Sequence, residues 1–230
     1  MFFDPMYFVF VLPALLFAMW AQWRVQSTFG KYSQVANSTG LTGAQVARQV
    51  LDAAGLSNVN VERIPGNLTD HYDPGAKVVR LSDTVYATPS VAAIGVAAHE
   101  VGHAIQDATA YAPMRLRQGL VPVAGIGSNL GYILFFIGFF ISSFQLATLG
   151  FILFSAAAIF AAVTLPVEFN ASNRAMQLLD ANGLVTPQDS GLARKVLDAA
   201  ALTYVAGLAQ ALSQLLYYGM LLSGMRRSND

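Results

Sequence analysis

Ser90-Val91-Ala92-Ala93-Ile94-Gly95-Val96-Ala97-Ala98-His99-Glu100-Val101-Gly102-His103 is the stretch from which the rest of the chain can be read. Ser90, behind Pro89, is placed to cap a helix, and the run Val91 to Ala98 is apolar on every side, so the helix is expected to be buried. Two histidines four residues apart on such a helix project about 40° from each other, and both imidazoles reach one metal ion. Glu100, offset by one position, can hold a metal-bound water. His99 and His103 are therefore candidate metal ligands and Glu100 the candidate catalytic base. The competing reading, two core histidines satisfied by carbonyls, gives Glu100 no task.

Composition narrows the setting. With 55% hydrophobic and 11% charged residues, the chain is too apolar for an ordinary water-facing surface and reads as a membrane protein. A formal net charge of zero leaves no basic footprint, so nucleic acid drops out as a partner. The absence of cysteine leaves imidazole and carboxylate as the available metal donors.

Downstream of the histidines, fifty consecutive residues between Arg117 and Glu168 carry no charge. That is too many for one membrane span and suits two helices of ~20 residues, with the break near Ser142, Ser143 and Gln145. A membrane hairpin returns the chain to the side it left. Glu168 is thereby delivered to the membrane face of Arg117, near the histidine helix, and becomes the candidate third ligand; the competing reading is an interfacial carboxylate that ends a span. Upstream, Pro5 to Trp23 is uncharged and long enough to cross a bilayer. It begins with Asp4 and no basic residue, so it is read as a retained anchor with Trp20 and Trp23 at the headgroups.

The chain 1–230 is thus expected to be one membrane domain. It comprises an anchor at 5–23, a soluble segment with the histidines at 24–118, a transmembrane hairpin at 119–167, a soluble segment with Glu168 at 168–198, and a membrane-crossing or membrane-packed helix at 199–225. Three or four helices then span. In the first soluble segment Thr42 caps a helix that Gly55 ends, Val59-Asn60-Val61 and Lys77 to Leu81 are strands, and Asp70 to Gly75 is a turn. Asn182-Gly183 and Gly191 punctuate the second, and Tyr217-Tyr218 read as membrane-interface aromatics. Asp107 shares a helical stripe with His103 but reads as a solvated carboxylate. Eleven of the thirteen Lys and Arg residues lie in the segments joined by the first three spans, which places the metal-binding side in the cytoplasm. Arg226 and Arg227 would then lie outside if the last run spans.

Beyond these patterns the sequence resembles the neutral zinc membrane metallopeptidases of the YugP-like family along nearly its whole length. The matching stretches are Leu41 to Ala47, Leu68 to Pro74, Leu81-Ser82, Ala97 to Gln106 and Pro166 to Ala175. More distantly it is similar to the gluzincins, in which a downstream glutamate completes the zinc site. In many of those an aspartate four residues past that glutamate orients a ligand histidine. Here that position is Ser172, and Ser172 or Asn173 substitutes for a carboxylate more weakly.

The resemblance implies a mainly α-helical integral membrane protein of the bacterial plasma membrane, with a small α+β zincin-like cytoplasmic portion carrying the H-E-x-x-H helix. It implies one Zn2+ per chain, held by His99, His103 and Glu168, and hydrolysis of peptide bonds in membrane or membrane-proximal proteins. The mechanism expected is a water whose pKa zinc lowers to ~7, with Glu100 taking its proton and returning it to the leaving amine. A second electrophile for the oxyanion would come from His71, Tyr86, Tyr111 or Arg174, although His71 also reads as a plain turn residue. Substrate is expected to lie along Lys77 to Leu81 as an edge strand. The other class is a non-catalytic membrane scaffold with a structural zinc; the intact Glu100 and three rather than four ligands argue against it.

Overall fold

The computed structural model describes residues 5–229, so Asp4, at the flank of the expected anchor, lies outside the described residues. The chain forms α1 (Pro5–Tyr32), α2 (Gly43–Ala53), β1 (Asn60–Ile64), β2 (His71–Asp73), β3 (Val78–Ser82), α3 (Asp83–Tyr86), α4 (Val91–Ala108), α5 (Ala112–Phe140), α6 (Phe144–Ala181) and α7 (Pro187–Asn229). It is mostly helical, and among the described residues four helices, α1, α5, α6 and α7, are long and apolar enough to cross a membrane. The apolar run at 199–225 is continuous with its charged lead-in, because α7 already begins at Pro187. Gly191, expected to punctuate this region, sits inside that helix, where one glycine costs only about 1 kcal/mol relative to alanine.

The helices cluster into two units. The first takes α1 as far as Ala21, Arg115–Pro166, and the chain from Thr203 onward. Within it α5 and α6 form the expected hairpin. Ser142 takes a left-handed φ of 57°, the Ser143 N–H donates to the Gly138 carbonyl at 2.8 Å, and the Ser143 hydroxyl accepts from Leu146 N–H at 3.4 Å. Helices in lipid associate through close packing and interhelical contacts, which small residues permit. A Cβ on Gly138 or Gly150 would run into the backbone of Ala147 or Phe135, so these helices meet backbone to backbone. Tyr217 and Tyr218, expected to be membrane-interface aromatics, are packed within this unit, 3% and 1% exposed. Tyr218 stacks on Phe135 with centroids 4.4 Å apart, and both tyrosines line a cavity of about 730 Å³ with Tyr7, Tyr132, Phe136 and Gln214.

The second unit takes Gln22–Met114 and Val167–Leu202. Its core joins Val46, Val50 and Leu51 of α2, Val79 and Leu81 of β3, Ile94, Ala97, Ala98 and Val101 of α4, Leu179 of α6 and Val196 of α7. Thr42 starts α2 with a capping box, its hydroxyl accepting from Gln45 N–H while the Gln45 side chain accepts from Thr42 N–H. Gly55, at φ 73°, follows the end of that helix as expected. Ser90 caps α4 by accepting from Ala93 N–H at 3.2 Å.

The sheet corrects two expectations. Residues 71–73, read as part of a turn, form β2, antiparallel to β3, because Tyr72 is buried and its hydroxyl donates to Asp107 of α4 at 2.8 Å. The turn begins only at Asp73, whose Oδ1 accepts from Gly75 and Ala76 N–H. The strand order is β1-β3-β2 with β1 parallel to β3, so the strand expected at an edge is central. Val78, Val79, Leu81 and Ser82 are all buried, as suits a strand flanked on both sides. A substrate chain therefore cannot pair along β3.

Candidate metal centre

α4 positions the first two side chains. Thirteen of its residues are buried, from Val91 to Gln106, and it is packed on α2, α3 and the sheet. Its contact with α6 is set by Gly102: a Cβ there would lie 2.7 Å from the carbonyl oxygen of Ala171. Only a glycine lets the two backbones come this close, and the closeness brings Glu168 over the histidines.

His99 Nε2 lies 3.2 Å from Glu168 Oε2, and His103 Nε2 lies 3.5 Å from the same oxygen. One donor atom from each of the three residues falls within 4.8 Å of the others. Zinc bonds of about 2.0–2.2 Å in a tetrahedral array separate neighbouring donors by about 3.3–3.6 Å, so the two histidine–glutamate spacings suit one such ion. The donor set, two imidazoles and a carboxylate, is also a normal zinc set. Glu168 is 2% exposed and His103 7%, which leaves them with no full solvent shell.

The other ring nitrogens are engaged by protein. His103 Nδ1 is 2.9 Å from Gln106 Oε1, and His99 Nδ1 is 3.2 Å from Ser172 Oγ. Ser172, four residues past Glu168, thus meets a histidine of the cluster, while Asn173 accepts from Arg194 at 2.8 Å. Burial opposes charge on His103, yet its contacts with Glu168, Glu100 and Gln106 outweigh this and raise its pKa. Glu100 is buried beside the cluster. Burial raises its carboxyl above the ordinary range, His99 and His103 oppose the rise, and Glu168 and Asp70 add to it.

The remaining candidates make contacts of their own. His71 is exposed on β2, with Nδ1 2.8 Å from the Thr69 carbonyl. Tyr86 ends α3, half-buried. The Arg174 guanidinium lies over the Tyr111 ring at 5.9 Å, and Arg174 Nε donates to Asn170 Oδ1 at 2.7 Å. Asp107, expected in solvent, accepts from Tyr72 and pairs with Lys77, fastening α4 to the sheet. Gln106 carried no role in the sequence reading; its signal was a polar residue at i+3 from His103 on the same helix.

Comparison with known proteins shows the family of the chain. A family model described as "Putative neutral zinc metallopeptidase" matches residues 7–223. The chain is 47% identical over 225 residues to a Bacillus subtilis (strain 168) protein named "Putative membrane protease YugP", covering 97% of this chain and 100% of that relative. No solved structure matches.

Proposed function

The chain belongs to the "putative neutral zinc metallopeptidase" family, and from that premise we propose that it hydrolyses peptide bonds in membrane or membrane-proximal proteins. The observation that carries the reading is the convergence of His99 Nε2 and His103 Nε2 on Glu168 Oε2 beside a buried Glu100. His99, His103 and Glu168 would hold one zinc ion. Bound there, zinc supplies Lewis acidity, acidifying water and polarising a peptide carbonyl.

The protein's own groups do the rest. Glu100 takes a proton from the attacking water on its carboxylate and delivers it to the leaving amine nitrogen. Burial raises the pKa of this carboxyl, which makes it a better proton acceptor than a solvated glutamate. Gln106 and Ser172 hold the imidazoles by their Nδ1 atoms and leave both Nε2 atoms directed at the site. The burial of the cluster limits competing water.

In this reading the portion around α4 is zincin-like and lies on the cytoplasmic face of a bacterial plasma membrane, a sidedness that the excess of Lys and Arg in the segments between spans supports. The scaffold reading is disfavoured because a structural zinc is normally enclosed by four protein ligands, whereas the cluster offers three. Stripping the purified protein with a chelator and assaying an unstructured fluorogenic peptide tests the proposal. Cleavage should stop and return with one equivalent of zinc. Cleavage that persists without metal would refute it.

A further inference from the structure

We infer that Gln106 is a positioning residue that sets the tautomer of His103 and ties this ligand to the backbone next to Glu168. The inference rests on the reading of His99, His103 and Glu168 as metal ligands and goes beyond it, to what holds them in register.

Gln106 is wholly buried. An amide in that position is costly unless its polar atoms are paired, and each of them is. Nε2 donates to the Val167 carbonyl at 2.8 Å and to Asn170 Oδ1 at 3.0 Å, while Oε1 faces His103 Nδ1 at 2.9 Å. The orientation of the amide follows from chemistry. A backbone carbonyl can only accept, so the group facing Val167 O must be the NH2 and the group facing His103 must be the oxygen. His103 Nδ1 then carries the hydrogen, and the Nε2 lone pair is left for the metal side.

The same amide reaches the third ligand. Val167 immediately precedes Glu168, so the Gln106 bond to its carbonyl fixes the α6 backbone one residue from the carboxylate. Asn170 Oδ1 is itself held by Arg174 Nε at 2.7 Å, which turns the asparagine oxygen toward Gln106. One side chain of α4 therefore sets a ligand on its own helix and braces the helix that brings another. His99 has no equivalent. Its Nδ1 meets the Ser172 hydroxyl, which can donate or accept and so leaves the tautomer open.

The test uses full-length protein in detergent. Zinc affinity is measured by competition with a chromogenic chelator for wild type, Gln106→Met and Gln106→Glu, and the visible spectrum of each is recorded with cobalt in place of zinc. Gln106→Met keeps the shape and loses the bonds. It should weaken zinc about 10–100-fold, the usual effect of losing such a partner, and alter the cobalt bands. Gln106→Glu keeps an acceptor for Nδ1–H and should recover part of that affinity and the wild-type bands. A folded Gln106→Met that binds zinc as tightly as wild type would overturn the inference. A wild type that binds no zinc would overturn the ligand reading beneath it. Nitrogen NMR of histidine-labelled, metal-free wild type, taken at a pH high enough for the His103 ring to be neutral, tests the tautomer without any variant: hydrogen on Nδ1 with a bare Nε2 supports the inference, and hydrogen on Nε2 with a bare Nδ1 refutes it.

Discussion

Gly102 has no room for a side chain, because a Cβ there would stand 2.7 Å from the carbonyl oxygen of Ala171. The residue lies between the two histidines of α4, and Ala171 lies one turn beyond Glu168 on α6. Gly102→Ala should therefore push the helices apart, costing about 1–3 kcal/mol as overpacking does, and weaken zinc binding as well. Thermal unfolding and a zinc titration of the variant read the two effects. Wild-type values in both would show that the close contact does not set the site.

Glu168→Ala removes the oxygen on which both imidazoles converge. Zinc affinity should fall by more than the about 10–100-fold typical of an outer partner, while helix content by circular dichroism stays at the wild-type level. Unchanged zinc content would assign the third ligand to another residue.

The chain has no cysteine of its own, so single cysteines report topology directly. Lys31→Cys and Asn182→Cys, both at exposed positions, should react with an impermeant maleimide only after the membrane is opened, and Ser142→Cys should react from outside. With four spans, a cysteine added after Asp230 should also react from outside. Labelling at Asn182 in intact cells would put the site on the other face.

Much of the site was legible because its signals are local. The cap at Ser90, the apolar run behind it and the spacing of His99 and His103 need only helical geometry. Glu168 was reachable by a longer argument, since an uncharged stretch of hairpin length returns the chain to where it started. Gln106 was not legible as a brace. Its partners, Val167 and Asn170, are 61 and 64 residues away, and nothing at i+3 tells a buried amide which carbonyl it will meet. The sheet shows the same limit. Three residues of β2 are too few to display a period of two, and Asp73-Pro74-Gly75 beside them reads as a turn. The central place of β3 depends on which strands flank it, which sequence order does not encode.

The central claim is that Glu100 moves the proton in a zinc-dependent hydrolysis. It is tested most directly by the rate of peptide cleavage for wild type and Glu100→Gln, each loaded with one equivalent of zinc. The amide keeps the size of the side chain and cannot act as a base, so the variant should retain its metal and lose about 10²–10⁴-fold in turnover. A zinc-loaded Glu100→Gln that cleaves at the wild-type rate would contradict the account.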